Sequence, residues 1–417
     1  MGREGDPEQL VALTASHTGA MATPFTDDEI DVIRSVTPGC TDDLVHLNHC
    51  GSSLPPQIVI DTQIAHLRRE AMMGGYEAAR EMVEAESAVY ESIAVLLGAE
   101  PHEIARMEHA TAAWNAAFWS IPMRVGQRII THDHDYGANW VGFLRAVEVY
   151  GVEIDRIPSD ADGQIDLERL AEALARPDDV ALVSLAWIPT SGGLVNPAAA
   201  VGALARAAGV PFLLDACQAV GQLEIDVAEI GCDFLTATGR KFLRGPRGTG
   251  FLYARDSIIE RVTPAQPDHH GADWVALDRY EFVPGARRFE YWEFDHAAWL
   301  GLGAAVDHAA GLGVDRIEVT VARRAEQLRT ALRQIGMIVH DQGTERCGIV
   351  TATHPAASAA EVAAVLSSAN INVSTTFAGS ARADMECRGL PPMVRLSVHC
   401  TTTSGEIDRT IAVLRNL

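Results

Sequence analysis

Lysine and arginine together number 33 in this chain of 417 residues, and only one of them, Lys241, is lysine. Arginine serves wherever a surface cation is all that is needed. It stays protonated at any physiological pH, whereas a lysine amine can lose its proton and attack a carbonyl. A position that keeps lysine in an arginine-rich chain is therefore a candidate nucleophile, with a surface lysine surviving by chance as the alternative. Its surroundings run Thr236-Ala-Thr-Gly-Arg-Lys241-Phe-Leu-Arg-Gly-Pro-Arg-Gly-Thr-Gly250. The glycines let backbone approach a ligand closely. Thr238, Arg240, Arg244 and Arg247 bring hydroxyl and guanidinium donors suited to a phosphate. Such a turn suits a Schiff-base lysine for a phosphorylated aldehyde; a basic loop resting on acidic surface is the other reading. Upstream, the apolar run Phe212-Leu-Leu ends in Asp215-Ala-Cys-Gln218. A carboxylate at a strand end could pair with a pyridinium nitrogen and keep that ring an electron sink. It could equally be a turn former or helix cap.

These side chains need a scaffold, and the chain predicts one. Arg128–Thr131, Val152–Ile157, Val180–Leu185, Pro211–Asp215, Asp233–Thr236 and Gly250–Tyr253 have the look of buried strands. Amphipathic stretches such as 166–175 and 197–208 lie between several of them. Strand–helix alternation of this kind implies an α/β fold with a mostly parallel sheet covered on both faces. In such sheets ligands bind at the carboxyl ends of strands. Long helices are predicted over 55–73 and 76–97. The stretch 268–288 carries His-His, Trp and Pro-Gly and is expected to be a long loop. Helices over 297–311 and 314–335 follow. Strands at 348–352, 371–374 and 393–399, with helices at 358–368 and 404–414, then predict a smaller α+β domain. The expected division is an N-terminal arm at 1–45, a large domain at 46–305 and a small domain at 306–417.

Composition excludes several classes. With 47% hydrophobic and 21% charged residues, the chain can offset its ordering entropy and fold. Its apolar runs fall short of the ~20 residues a membrane span needs. The formal net charge of −23 disfavours nucleic acid or anionic membranes as partners. The acidic, polar start MGREGDPEQL gives no expectation of a secretory signal. The seven cysteines show no CxxC spacing, so they read as thiols of a reducing cytoplasm, with no metal site.

Strand–Asp-Ala-x-Gln followed by strand–Thr-Gly-x-Lys-x-Leu-x-Gly-Pro-x-Gly-x-Gly resembles the class V aminotransferases, from about Leu47 to the end of the chain. The resemblance implies a fold-type I enzyme using pyridoxal 5′-phosphate (PLP), with a mostly parallel seven-stranded sheet and a smaller C-terminal domain. It implies Lys241, Asp215 and Tyr136 as catalytic residues, Lys241 carrying the cofactor and Tyr136 stacking on its ring. Ala110, Thr111 and Ala112 fall in the phosphate-binding turn His109–Asn115, where a helix start offers free N–H groups to an anion. Thr238 and Arg240 match the side chains that hold the phosphate, and Thr190 and Gln218 those beside the ring hydroxyl. Arg395 matches the arginine for the substrate α-carboxylate, with a structural ion pair as the alternative. Asn48, His49 and Ser52 match an N-terminal substrate loop. The segment 288–293 sits where the family reaches into a neighbouring subunit, implying a homodimer with shared active sites.

The reaction is less sharply implied. Family cysteine desulfurases carry a mobile cysteine in the region 377–387, but the setting of Cys387, Asp-Met-Glu-Cys-Arg-Gly-Leu, does not resemble theirs. Gly74–Ala79 and Ser380–Met385 look more like the branch holding a C–S lyase of ergothioneine biosynthesis. Cys50, Trp187 and Cys400–Thr403 depart from that branch and suggest a specialised substrate. The leading expectation is a lyase that cleaves the C–S bond of a cysteine S-conjugate, a small-molecule amino acid of a natural-product or antibiotic pathway. Decarboxylative oxidative deamination, epimerisation and transamination are the alternatives, with cysteine desulfurase behind them.

Overall fold

The computed structural model describes residues 22–417; the start of the expected N-terminal arm, 1–21, lies outside them. Seven strands form one sheet in the order Ile104–Met107, Gly250–Ala254, Phe234–Thr238, Phe212–Asp215, Val180–Ala186, Arg128–His132, Glu153–Ile157. Gly250–Ala254 runs antiparallel to both neighbours, and every other pairing is parallel. Val180–Ala186, Phe212–Asp215, Phe234–Thr238 and Gly250–Ala254 are buried at every residue. That is why they read as continuous apolar runs, as strands covered on both faces do. Successive side chains leave a strand on opposite faces. Phe212 and Leu214 thus enter one core with Val183 and Leu235, while Leu213 enters a second with Trp114, Phe118 and Phe143.

Three expectations about elements need correction. Ile104–Met107 is an unpredicted strand, too short and too interrupted by Arg106 to announce itself. It is fixed by buried Glu290, which accepts from the Arg106 amide at 2.9 Å. The stretch 268–288 is not one long loop. Ala272–Ala276 and Arg279–Phe282 form an antiparallel hairpin whose outward Trp274, Leu277 and Tyr280 give it no buried stripe to read. The strand expected at 371–374 splits between two sheets. Ile371–Asn372 pairs in parallel with Val45–His46, and Ser374–Thr376 pairs with Met393–Ser397.

The C-terminal unit is a four-stranded antiparallel sheet, ordered Ile338–Val339, Ile349–Thr353, Met393–Ser397, Ser374–Thr376. Helices Val314–Gln334, Ala359–Ser368 and Ser404–Leu414 pack around it. The first described residues fold onto this unit. Helix Asp27–Ser35, started by a Thr26–Glu29 capping box, is tied down by Arg324 on Asp27 at 2.7 Å and by Arg316 on Glu29 at 2.9 Å.

A fully buried ion pair joins the two units. Arg329 Nε donates to Asp341 Oδ2 at 2.8 Å, and Nη2 donates to the carbonyls of Cys347 and Ile349. Asp341 Oδ1 accepts from the amide and hydroxyl of Thr351 and from the Gly193 amide of the large unit. Removing one partner strands a buried charge, which costs roughly 3–5 kcal/mol. Arg329→Ala should lower the unfolding free energy by that amount in urea titration. A change below about 1 kcal/mol would show that water reaches the pair.

Candidate active site

The carboxyl ends of the parallel strands open onto a cavity of about 340 Å³. Asp215, the last residue of its strand, lies in register with Thr236 of the next one. Three residues beyond that neighbour's end, Lys241 faces the same cavity, its Nζ donating to Cys217 Sγ at 3.2 Å. The turn between is tight. A Cβ on Gly239 would come within 2.3 Å of Thr249 Oγ1 and 2.7 Å of Leu302 Cδ1, so a side chain there would push its neighbours aside. Asp215 Oδ1 accepts from the Cys217 amide at 3.0 Å, and Oδ2 accepts from Asn139 Nδ2 at 3.1 Å.

At one end of the cavity, helix Ala110–Ser120 presents its N-terminus. Ala110 and Thr111 line the space, and the positive end of the helix dipole favours an anion there. Arg240, Arg247 and Thr238 flank it. Tyr136 lies in the wall, 40% exposed. Thr190 and Gln218 also face inward. Thr190 Oγ1 accepts from Arg395 Nη1 at 2.6 Å, which leaves its own hydroxyl proton to donate. Gln218 Nε2 donates to the Cys50 carbonyl, while its Oε1 is buried without a partner among the described residues.

The sequence pattern of the family described as "Aminotransferase class-V" matches residues 45–410. The chain belongs to the class V aminotransferase family. A cysteine desulfurase of Yersinia pestis bv. Antiqua (strain Angola) is 28% identical over 383 residues, covering 90% of this chain and 93% of that one. A cysteine desulfurase of Pectobacterium atrosepticum is 28% identical over 382 residues, with the same coverage. The apo structure of a cysteine desulfurase from Thermococcus onnurineus NA1 superposes with a TM-score of 0.85 at 21% identity, over 95% of this chain and 99% of that one. The cystine C–S lyase C-DES, solved with its product cysteine persulfide, superposes with a TM-score of 0.82 at 20% identity, over 91% and 99%. The fold is fold-type I, and the class V family makes PLP the cofactor.

The cavity of this class V enzyme fits that cofactor. It joins an amine, a carboxylate at the far wall, a helix N-terminus for an anion and the orphaned Gln218 Oε1, which lacks a donor. Of the ten residues carried over to the cofactor, nine line the cavity. The exception is Ala112. Its N–H is already taken by His109 Nδ1 at 3.0 Å, and its side chain faces a neighbouring cavity with Asn115 and Trp119. Thr238 lines the site but donates its hydroxyl to the Thr249 carbonyl, so it must rotate to donate to a phosphate.

The substrate side is rearranged relative to expectation. Arg395 reaches Thr190 from the small sheet; its bonds to Thr190 and Ser374 use Nη1 and Nε and spare Nη2. Segment 48–53 is held against the cavity by Arg240, which donates to the Gly51 carbonyl, and by the Ser53 amide donating to the Arg240 carbonyl. Within it Ser52 is half-buried, its amide donating to the Asn48 carbonyl, and Asn48 bridges to Ser397. His49 does not face the cavity. It is buried against His46 and His399 and bonded to Ser53 Oγ, and burial pushes its pKa well below the usual value, so it is neutral. Arg244 is likewise structural: with φ at 61°, it binds Leu54 O and Thr37 Oγ1. Cys50, Trp187 and Cys400 are packed core residues and do not line the cavity. Arg288 and Glu290, expected to reach into a neighbouring subunit, turn inward on their own, while Trp292 stays half exposed.

Sequence reading missed Asn139, Asp135 and Cys217 at this site. It also missed how 378–387 docks. That segment, Ala378–Cys387, is helical on either side of a kink at Ala381, and its buried Asp384 pairs with His134 at 3.5 Å and Arg388 at 3.3 Å and accepts from Ser191 Oγ at 3.1 Å. Burial works to raise the Asp384 pKa, but His134 and Arg388 outweigh it and hold the carboxyl below its ordinary value. One signal was available: Gly137, where a Cβ would strike the Gly379 carbonyl at 2.7 Å, marks a close approach of two backbones.

Two measurements check this site. Borohydride reduction of the PLP-loaded protein, followed by peptide mapping, should place the cofactor on Lys241; label on the N-terminal amine alone would reject the assignment. The Asp384 contribution is present above the ordinary carboxyl pKa near 4 and lost as pH falls through its lower folded value. At neutral pH, Asp384→Asn should therefore speed amide exchange across 378–387 about tenfold or more while leaving the seven-stranded sheet protected. Unchanged exchange there would mean that apolar contacts alone hold the helix.

Proposed function

We propose that this PLP-dependent class V enzyme is a lyase that cleaves the C–S bond of a cysteine S-conjugate by β-elimination. The net reaction converts conjugate and water into a thiol, pyruvate and ammonia. When bound, PLP supplies an electron sink for the pair released at the α-carbon. The protein residues do the rest. Asp215 holds a proton at the ring nitrogen. Lys241 Nζ takes the α-proton as general base. Arg395, with only Nη2 spared, offers that single nitrogen and its positive charge to the α-carboxylate. Tyr136 would stack on the ring, and Ala110, Thr111 and Arg240 would hold the phosphate.

The observation that supports elimination over sulfur transfer is the place of Cys387. It lies exposed at the end of a docked segment, outside the cavity wall. A thiol so placed is poorly positioned to collect sulfur from a substrate at Lys241. The second reading, cysteine desulfurase, draws on the names of the curated relatives. Decarboxylative oxidation, epimerisation and transamination use the same residues and differ in which bond at the α-carbon breaks.

Free thiols throughout the described residues support a cytoplasmic setting. A homodimer is supported by exposed Leu67, Met72, Tyr76 and Trp274, which a second copy would cover. A specialised, natural-product role rests on the resemblance alone.

The test is a panel of cysteine S-conjugates assayed for pyruvate, free thiol and aldehyde. Pyruvate with thiol is the expected outcome; aldehyde with carbon dioxide would replace elimination by the decarboxylative route. Arg395→Ala should raise the barrier behind kcat/KM by roughly 2–5 kcal/mol, because the buried carboxylate loses its partner. Cys387→Ala should stay within about twofold of wild type by the transition-state relation. Alanine production from cysteine that disappears in Cys387→Ala would establish the desulfurase reading instead.

A further inference from the structure

Behind Asp215 lies a second carboxylate that the proposed mechanism does not use. Asp135 sits at the start of helix Gly137–Tyr150, fully buried at the carboxyl end of the sheet. Asn139, one turn into that helix, is also buried. Its Nδ2 donates to Asp135 Oδ1 at 2.7 Å and to Asp215 Oδ2 at 3.1 Å, so its two N–H bonds span both carboxylates. Asp135 is held in turn by Thr131 Oγ1 at 2.8 Å, Ser184 Oγ at 3.3 Å and the Tyr136 amide at 2.8 Å. Every polar neighbour of Asp135 named here is a neutral donor, and the charge acting on it is the negative Asp215.

We infer that Asn139 and Asp135 are positioning residues for the cofactor ring, Asn139 fixing the orientation of Asp215 and Asp135 adding a second negative charge behind it. The inference rests on the cofactor site proposed above. Two carboxylates of like sign are joined through one neutral amide, and among the described residues neither has a directly paired cation, although Lys241 lines the same cavity. A protonated ring nitrogen against Asp215 supplies one. The helix then has two tasks, since it follows Tyr136, whose ring lies in the cavity wall, and carries the amide that aims Asp215. Asn139 is rigidly seated for this. It is the first buried position of the helix, and its acceptors lie on two different elements, the turn after Arg128–His132 and the end of Phe212–Asp215.

The pH behaviour follows with a definite sign. Burial, then the repulsion of Asp215, raises the Asp135 pKa to about 6, against its hydrogen bonds from Asn139, Thr131 and the Tyr136 amide. The other charges in the cavity, Arg240, Lys241 and Arg247, lie on the segment after Phe234–Thr238. A cationic ring favours ionised Asp135 and lowers its pKa, so cofactor binding below pH 6 must release a proton. By linkage, affinity falls as pH drops through that range.

The experiment compares wild type, Asn139→Ala and Asp135→Asn for PLP affinity by equilibrium dialysis between pH 5 and 8, together with the absorption spectrum of the bound cofactor. PLP and its phosphate titrate in the same range, so the readout is the difference from wild type. Asn139→Ala should weaken affinity roughly ten- to hundredfold, as expected for losing a hydrogen bond to a charged group, and shift the spectral pH midpoint. Asp135→Asn should bind less tightly than wild type at pH 8 and lose the extra fall in affinity below pH 6. A second measurement needs no variant. Carbon-13 NMR of aspartate-labelled wild type should show one carboxyl titrating near 6 without cofactor, and its midpoint should move down on loading. Wild-type affinities and spectra in both variants, or no cofactor-dependent carboxyl, would overturn the inference while Lys241 labelling still stood. Failure of wild type to take up PLP at Lys241 would overturn this inference together with the cofactor site.

Discussion

A carboxylate and an amine from adjacent parallel strands must meet over one small space, and most of the molecule answers to that constraint. Asp215 ends its strand in register with Thr236, and Lys241 arrives from the turn after the same neighbour. Side chains alternate faces along a strand, so a slip of one residue would send Asp215 into the core. Register is secured by strands buried on both faces, where a slip would displace every apolar side chain at once. The turn is secured by Gly239, which packs closely against Thr249 and Leu302. Burying Asp215 is costly unless its oxygens are satisfied, and the Cys217 amide and Asn139 do so from two directions.

The second unit completes this arrangement from the other side. Arg395 reaches across from the small sheet to Thr190, and segment Ala378–Cys387 plants Asp384 between Ser191 and His134. Both contacts land on loops that carry cavity residues, Thr190 next to Ser191 and Tyr136 soon after His134. Asp341 adds a third link through the Gly193 amide. The loop after Val180–Ala186 is therefore held at three successive points by groups from the C-terminal unit. Movement of that unit relative to the large sheet would be felt first at Thr190 and the side of the cavity it forms.

Much of this was legible in the chain. Lone Lys241, Asp215 at the end of an apolar run and the helix start at Ala110 are local signals, because each depends on residue type and near neighbours. The central strands were readable because full burial leaves only apolar residues. The exposed hairpin at 272–282 and the four-residue strand at 104–107 lack that signature. Long-range partners were hidden for a different reason. Nothing in the sequence around His49 says that His399 will close over it, or that Arg244, set among phosphate-like donors, will be drawn off to Thr37 and Leu54. Asn139 looks like any polar residue on a helix until the sheet brings Asp215 to it. Ala112 sat in the right motif, but the preceding histidine had already capped its N–H.

The pairing of Val45–His46 with Ile371–Asn372 has a consequence for how the chain comes into being. Partners so far apart cannot meet until nearly the whole sequence exists, and loops of this length give high contact order and slow closure. At a synthesis rate of about 5–20 residues per second, the early strand waits roughly 15–65 s for its mate. During that interval the central sheet can assemble from segments already made, while Ile30, Ile33, Val45 and Leu47, all buried at the end, have nothing to cover them. The stretch around Val45 thus stays unpaired longest, and its apolar residues are covered only when Ile371–Asn372 arrives.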